Sequence, residues 1–301
     1  MVNEFGKETR LSLAGGPHFA VGTAIFGDLA PRHVELVAAL GFPAIEPYRQ
    51  WVTRYLERPR ELRRLLDEHG ITLLTCSNGG PGQSTDFIDP DRRAQTVADH
   101  VEFARRFLAE FGCQHFKVNL GVRPAAGTSD GDLCSIAAAL NELGRRTAAL
   151  GIRLAPHPHI WGPVERPGEI HRLLELTDPD LVSLTLDTGQ VRLGGGDPNA
   201  LLDEHWDRIV ALHWKDTAPR YRAWTGPTPT RAEHARECLY KDLGSGGVDF
   251  DGVWSRTVER RYRYWITLDL DPPEPSEDGG VEEKLRRNLR FLQEHLRVEH
   301  L

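Results

Sequence analysis

Leu154-Ala155-Pro156-His157-Pro158-His159 is a short apolar run that ends in two histidines. Three later runs end in the same way, in a residue able to bind a metal: Leu184-Thr185-Leu186-Asp187, Val210-Ala211-Leu212-His213 and Ile266-Thr267-Leu268-Asp269. If each run is a parallel strand of one barrel, the terminal side chains lie at the carboxyl ends of neighbouring strands and converge on one point. Histidine and carboxylate groups are common ligands of divalent metals. The pattern therefore predicts a divalent-metal site.

Eight β-rich runs alternate with helical patterns along the chain. The predicted strands are 19–26, 44–46, 72–77, 115–120, 153–157, 182–187, 210–214 and 265–270. Four of the intervening helical stretches end in a glycine followed directly by a new apolar run, which is typical of a helix C-cap: Gly41, Gly70, Gly112 and Gly151. Strands that alternate with helices in this way form βα units on a parallel sheet. Eight units predict an α/β fold, a (β/α)₈ TIM barrel, with residues 1–301 as a single domain.

An open doubly wound sheet is the main alternative to the barrel. Such a sheet normally carries a glycine-rich dinucleotide loop after its first strand, and the turn Phe26-Gly27-Asp28 is not one. The longest predicted irregular stretch, 217–248, follows the seventh strand on the active-site face of a barrel. It carries Arg220 and either closes over a polar substrate or forms a solvated surface insertion.

Composition narrows the classes of partner. The chain has 301 residues, 40% of them hydrophobic and 27% charged, as in an ordinary globular protein with a large core. The net charge of −7 and the lack of a dense basic run argue against nucleic acid as a partner. No apolar run is long enough for a membrane span, and the charged amino terminus, 1–10, does not resemble a signal peptide. Four widely spaced cysteines without a C-x-x-C pair favour the reducing cytoplasm.

Several polar residues near the predicted strand ends are candidates for chemistry. His157 and His159 lie two apart between prolines, so one is a candidate ligand and the other a candidate general base. Glu165 is a second candidate for metal binding or proton transfer, and its structural alternative is to favour the start of a helix near Pro167. Asp187 and Asp269 end apolar runs, where an ionised carboxylate needs a cation nearby; a barrel-rim salt bridge is the alternative for Asp269.

Further candidates surround this set. Asp271 shares a strand face with Asp269, so one is expected to bind metal and the other to bind substrate or hold a ligand in place. Glu46 and Asn119 are candidate partners of substrate hydroxyls. Trp161 either stacks on the apolar face of a sugar or packs in the core.

With these residues in place, the chain resembles the xylose-isomerase-like barrel superfamily. The segments that carry the resemblance are the His-Pro-His run, Leu186-Asp187-Thr188-Gly189, Leu212-His213-Trp214-Lys215-Asp216 and Gly244-Ser245-Gly246-Gly247. The superfamily contains sugar-phosphate isomerases and epimerases, inosose dehydratase and endonuclease IV. The resemblance implies a metal such as Mn²⁺, Co²⁺, Mg²⁺ or Zn²⁺, a sugar or cyclitol substrate, and a possible homodimer.

The resemblance also implies roles for individual residues. The metal would be held by a strand-five residue, His157 here in place of the usual Glu, by Asp187 and His213, and by Asp269 in place of a strand-eight Glu. Gln190 stands where the family usually has a substrate- or metal-contacting His and is a candidate substrate contact. His159, Glu165, Lys215 and Asp271 are the predicted catalytic residues, and Glu46, Asn119, Trp161, Gln190 and Arg220 the predicted substrate contacts.

The reaction class is left between alternatives. The main prediction is an isomerase or epimerase acting on a keto-sugar or cyclitol through an enediolate, and the alternative is a dehydratase that expels a β-hydroxyl. Epimerases of the family use two opposed glutamates, and the presence of His157 and Asp269 at those positions favours a dehydratase or a one-base isomerase. An endonuclease needs a basic DNA face, which the net charge argues against. A barrel that has lost catalysis and serves as a binding protein or partner subunit is the remaining alternative.

Overall fold

The computed structural model describes residues 17–274 and 277–298, and the predicted TIM barrel is confirmed. The charged amino-terminal residues, 1–10, lie outside the described residues. The strands are β1 His18–Gly22, β2 Ala44–Glu46, β3 Thr72–Leu73, β4 His115–Val118, β5 Arg153–Pro156, β6 Leu184–Asp187, β7 Ile209–Trp214, β8 Asp216–Thr217, β9 Tyr240–Lys241 and β10 Trp265–Leu268. Strands β1–β7 and β10 are the eight barrel strands. Strands β8 and β9 form an antiparallel pair outside it.

The barrel strands run parallel around the ring. Six of them pair in the order β3-β2-β1-β10-β7-β6, and β4 pairs with β5. A parallel bridge from Leu154 to Val182 joins β5 to the segment that leads into β6. Between β3 and β4, the backbone N–H of Lys117 donates to Oγ1 of Thr75 at 3.3 Å. All eight carboxyl ends therefore open on one face of the barrel.

The helices lie outside the strands. They are α1 Pro31–Ala39, α2 Pro59–Glu68, α3 Arg93–Arg106, α4 Asp130–Ala148, α5 Pro167–Leu176, α6 Thr188–Leu193, α7 Pro198–His205, α8 Arg231–Glu237, α9 Phe250–Glu259 and α10 Gly280–Arg290, followed by a π-helical turn at Phe291–His295. The four glycines predicted to cap helices all have positive φ, between 66° and 85°. Leu150 lies beyond the end of α4, which ends at Ala148, and its side chain is exposed.

Three predicted elements differ most from the structure, and one of them is β3, which ends at Leu73 whereas the prediction ran to 77. The first strand ends at Gly22, and Thr23–Phe26 turns into a 3₁₀ helix. The predicted irregular stretch 217–248 is an organised excursion that contains α8 and the second strand of the β8–β9 pair. The buried carboxylate of Asp216 explains this order, because it accepts the backbone N–H groups of Gly246 at 2.9 Å and Val248 at 3.0 Å and ties the excursion's end to its start.

The helices and the cysteines bear on membrane insertion and on disulfide bonding. Within residues 17–274 and 277–298, no helix combines the length and the apolar character needed to cross a membrane. Cys76, Cys113, Cys134 and Cys238 are all free thiols, as their spacing predicts.

Candidate metal centre and its cavity

The four predicted ligands meet at the carboxyl face of the barrel. His157 follows β5, Asp187 ends β6, His213 lies on β7 and Asp269 follows β10. The register pairs Asp187 directly with His213, which brings the ends of the two strands side by side. One ligand atom from each of the four lies within 4.8 Å of the others, and all four residues are buried.

The donor atoms are spaced as a divalent cation needs. Nε2 of His157 is 3.5 Å from Oδ2 of Asp187, and Nδ1 of His213 is 3.8 Å from the same oxygen and 3.1 Å from Oδ2 of Asp269. Donors that each lie roughly 2.1 Å from a common tetrahedral centre are about 3.4 Å apart. Nε2 of His157 and Oδ2 of Asp187 are buried and have no hydrogen-bond partner, which is costly unless a cation joins them. The residues present therefore fit a divalent metal.

Asn119 orients the His157 imidazole. Its Oδ1 lies 3.2 Å from Nδ1 of His157, so the imidazole donates from Nδ1 and keeps its lone pair on Nε2. Burial, together with the nearby positive groups His213 and Lys117, holds the pKa of His157 well below its ordinary value. His157 is therefore a neutral imidazole whose lone pair faces the other ligands.

The two carboxylate oxygens of Asp187 have different surroundings, one at the start of α6 and the other in the four-residue cluster. Its Oδ1 accepts the backbone N–H of Gln190 at 2.8 Å and so caps α6, which leaves Oδ2 for the cluster. Burial and the neighbouring Asp269 carboxylate raise the pKa of Asp187. A bound cation would offset both effects and favour the ionised form.

Glu46 and Asp269 hold the His213 ring between them. Nδ1 of His213 faces Asp269, while Nε2 lies 2.9 Å from Oε1 of Glu46. Burial alone would lower the pKa of His213, but the Glu46 and Asp269 carboxylates together outweigh it and the pKa rises to about 9. Metal binding at Nδ1 would therefore displace a proton from an imidazole that Glu46 keeps oriented.

Glu46 contacts the ring nitrogen of His213 that faces away from Asp269. Besides its contact with His213, Glu46 forms an ion pair with Lys117 at 2.6 Å and accepts the Thr267 hydroxyl at 2.7 Å. Both of its oxygens are thus engaged by protein groups, and the residue is 1% exposed. In this position it orients His213, a candidate metal ligand, whereas the sequence analysis gave Glu46 as a candidate partner of a substrate hydroxyl.

Lys215 neutralises the acids on the β10 side. Its Nζ donates to Oδ1 of Asp271 at 2.8 Å and to Oδ1 of Asp269 at 3.4 Å, and it lies 4.4 Å from the centre of the Tyr240 ring. Burial would raise the pKa of Asp269, but Lys215 and His213 hold it well below its ordinary value. Lys215 and Asp271 are two of the four predicted catalytic residues. They lie together beside Asp269.

The hydrogen bonding of His159 leaves one ring nitrogen able to accept a proton. Its Nδ1 donates to the carbonyl of Ile160 at 2.7 Å, so the neutral ring carries its lone pair on Nε2. Burial lowers the pKa of His159, which keeps the ring neutral near pH 7. The ring lines a cavity that it shares with His157.

Glu165, the other predicted base, is engaged by protein groups. Its Oε2 accepts the backbone N–H of Trp161 at 2.8 Å, and its Oε1 accepts the Thr228 hydroxyl at 3.1 Å and lies 3.3 Å from Nε of Arg123. These bonds fasten the segment after β5 to the excursion after β7. The described cavity lining does not include Glu165.

The remaining predicted substrate contacts divide into two groups. Trp161 lines the cavity, as does Asn119. Gln190 is buried and its Oε1 accepts the backbone N–H of Ile160 at 3.1 Å, so it supports the segment that carries His159. Arg220 is exposed, pairs with Glu237 and is not among the residues that line the cavity.

The cavity has a volume of about 210 Å³. Two of its polar lining residues, Tyr48 and Arg231, were missed by the sequence analysis. Tyr48 lies two residues beyond Glu46 at the end of β2, and Arg231 begins α8 within the excursion after β7. Position on the carboxyl face was the available signal for both. It did not distinguish them from neighbouring polar residues in the same loops.

A second group of metal-competent side chains lies on the outer helices. Nε2 of His205 is 2.8 Å from Nδ1 of His171, whose Nε2 is 3.1 Å from Glu204. His171 and His205 are half-buried and Glu204 is exposed, in contrast to the buried ligands of the barrel. Metal analysis therefore needs a variant of this group as a control.

A buried chain of polar groups supports His157 from behind. Nε2 of His100 accepts from the Asn78 side chain at 2.9 Å, and Nδ1 of His100 donates to the carbonyl of Thr96 at 2.7 Å. Asn78 in turn bonds both backbone groups of Asn119, the residue that orients His157. Burial lowers the pKa of His100 to about 4.

This shift predicts acid sensitivity of the fold. The unfolded chain protonates His100 as the pH falls below about 6.5, whereas the folded chain does so only near 4, so stability present at neutral pH is lost between these values. Between pH 7 and pH 5, the parent is expected to lose about 2 kcal/mol more unfolding free energy than His100→Gln. Urea unfolding at the two pH values measures this difference. Parallel losses in parent and variant would contradict it.

Comparison with known proteins agrees with this geometry. The profile of the family described as xylose isomerase-like TIM barrel matches residues 34–295. The chain belongs to this family. Among curated members of the xylose isomerase-like family, it is 30% identical to the inosose dehydratase of Lactiplantibacillus plantarum over 171 residues, which is 52% of each chain. It is 28% identical to the inosose dehydratase of Geobacillus kaustophilus over 251 residues, 78% of each chain. The chain thus spans about half the length of the first of these relatives.

Solved structures with the same fold include both a zinc-bound protein and an epimerase. The IolI protein with a bound zinc atom superposes with a TM-score of 0.72 at 16% identity, covering 92% of this chain and 97% of that one. A D-psicose 3-epimerase from Clostridium cellulolyticum H10 superposes with a TM-score of 0.72 at 15% identity, covering 92% and 98%. At these identities the likeness establishes the shared barrel. The chain is therefore a barrel of the xylose isomerase-like family with a buried cluster of four side chains that could hold a metal ion.

Proposed function

We propose that this chain is a divalent-metal-dependent lyase that removes water from a keto-cyclitol or a closely related keto-sugar. The observation that carries the proposal is the neutral imidazole of His159, the one available base among the described residues that line the cavity. The curated relatives named inosose dehydratase support this alternative over the isomerase or epimerase that was the main sequence prediction.

The state of His157 argues against a symmetric proton exchange. Epimerisation by two opposed groups needs a proton acceptor or donor on each face of the substrate carbon. At the strand-five position, His157 has Nδ1 bonded to Asn119 and Nε2 in the ligand cluster. At the strand-eight position, Asp269 is held by His213 and Lys215. Neither residue is left to serve as the second base.

Elimination needs only one base on one face. When bound by His157, Asp187, His213 and Asp269, a divalent metal would polarise the substrate carbonyl as a Lewis acid. Nε2 of His159 takes the proton from the carbon next to that carbonyl. The electron pair forms the new carbon–carbon double bond as the β-carbon–oxygen bond breaks. The departing hydroxyl takes the proton back from His159 and leaves as water, which restores the base.

Product analysis tests the proposed reaction. Protein loaded with Mn²⁺ is incubated with a keto-inositol and, separately, with fructose, and the products are identified by mass spectrometry and ultraviolet absorbance. The expected product of the keto-inositol is lighter by one water and absorbs as a conjugated enone, and Asp187→Asn is expected to form none. An isomer or epimer of unchanged mass as the sole product would contradict the lyase assignment.

A further inference from the structure

The cavity extends outward from the metal ligands past an aromatic wall. His157 and His159 form its inner end, with ring centroids 5.8 Å apart, and Trp161 follows at 6.5 Å from the His159 ring. Arg231 completes the lining beyond Trp161. A substrate whose carbonyl lies near the ligands would therefore direct its far end toward Arg231.

Trp161 is held rigidly in an unusual backbone conformation. Its φ of 65° lies in the left-handed region, which is strained for a bulky residue. Three hydrogen bonds hold the residue. Its backbone N–H donates to Glu165 at 2.8 Å, and its carbonyl accepts the backbone N–H of Arg123 at 2.8 Å. Its Nε1 donates to the carbonyl of Pro229 at 2.7 Å. The indole face is thus a fixed platform on the cavity wall.

Arg231 rests on this platform, and its guanidinium has no hydrogen bond to any of the described residues. Its guanidinium lies 4.4 Å from the centre of the Trp161 ring, and no carboxylate pairs with it in the described part of the chain. By contrast, Arg220 in the same excursion pairs with Glu237. Stacking orients a guanidinium while leaving its planar N–H fork available for a bidentate anion.

The charge of the lining favours an anion at this end. No aspartate or glutamate stands among the described residues that line the cavity. Two acids of the adjoining segments bond to other protein groups: Glu165 pairs with Arg123, and Glu233 accepts the hydroxyl of Thr230 at 2.8 Å. Arg231 is therefore the permanent charge among the described residues that line the cavity.

We infer that Arg231, stacked on Trp161, binds an anionic group at the far end of the substrate, so that the enzyme prefers keto-cyclitols or keto-sugars bearing a phosphate or a carboxylate. The inference rests on the proposed function, because the ligand cluster is what places the carbonyl at the inner end. Phosphate and carboxylate share the geometry that a guanidinium fork recognises, and the experiment separates them.

Calorimetric titration of the Mn²⁺-loaded protein tests the inference with three ligands of similar carbon skeleton. The ligands are fructose, fructose 6-phosphate and 5-ketogluconate, which carry no anionic group, a phosphate and a carboxylate. At least one acidic ketose is expected to bind about tenfold or more tightly than fructose, as a charge-assisted pair implies. Arg231→Gln is expected to abolish that preference by weakening the binding of the acidic ketose. Arg236→Gln, on the same helix but outside the cavity lining, is expected to retain it.

Three results would overturn the inference: equal affinities in the parent, a preference that survives Arg231→Gln, or no measurable binding of either acidic ketose. The acidic ketose that binds more tightly than fructose shows whether Arg231 prefers a phosphate or a carboxylate. Failure of the proposed function is distinguishable from failure of the inference. Water loss from a neutral keto-inositol, together with equal affinities of the parent for all three ketoses, overturns the inference alone. Arg231-dependent binding of acidic ketoses, without water loss from any substrate, overturns the lyase activity alone.

Discussion

Replacing Asp187 with asparagine is expected to remove the bound metal while the protein stays folded. The amide keeps an oxygen that can accept the backbone N–H of Gln190 and cap α6, but it loses the negative charge that faces the cluster. Without that charge, buried His157 and His213 nitrogens gain too little from a divalent cation to offset its dehydration. Metal content is expected to fall from about one equivalent to less than about a tenth of one.

Elemental analysis of proteins grown with Mn, Co and Zn measures this change. His205→Ala is the matched control, since it removes a histidine from the outer group on α5 and α7 and leaves the barrel ligands intact. The control is expected to retain one equivalent. Equal metal content in Asp187→Asn and the parent, with loss in His205→Ala, would place the tight site on the outer helices instead.

Replacing His159 with glutamine is expected to lower the dehydration rate by about 10²- to 10⁴-fold, the usual contribution of a positioned general base. Because His159 lies outside the ligand cluster, metal content is expected to stay at the parent level. The measurement is turnover of the keto-inositol under saturating substrate, with elemental analysis of the same sample.

Glu165→Gln is the matched comparison for the His159 variant. Both oxygens of Glu165 hold loops together, so its replacement is expected to reduce thermal stability more than turnover. A larger loss of turnover in Glu165→Gln than in His159→Gln would reverse the assignment of the base.

The barrel and the ligand cluster were predictable because both depend on strand ends. A parallel strand places its last side chain at a defined edge, so four apolar runs ending in His or Asp predict one cluster without knowledge of any loop. The capping glycines were equally predictable, since Gly41 and Gly151 occupy left-handed positions that local sequence signals.

The surroundings of the cluster depend on contacts between distant parts of the chain. Glu46 reaches His213 across 167 residues, and Glu165 reaches Thr228 across 63. Strand-end reasoning places Glu46 on the correct face but does not show whether it meets substrate or a ligand. The same limit hid Arg231, whose stacking on Trp161 depends on the path of the excursion after β7.

The reaction class depends on which nitrogen of each histidine carries the proton. The sequence places His157 and His159 two residues apart and leaves either as base or ligand. The hydrogen bonds to Asn119 and to the Ile160 carbonyl separate them, because each fixes Nδ1 as the donor and leaves Nε2 in a different environment.

Metal titration of the chelator-treated protein tests the central claim most directly. Mn²⁺ is added in steps to the metal-free protein, and the rate of enone formation from a keto-inositol is measured at each step. The account predicts no turnover without metal and a rate that rises linearly until one equivalent is bound, with no rise in Asp187→Asn. Turnover in the metal-free protein, or one tightly bound equivalent that leaves the rate unchanged, would contradict it.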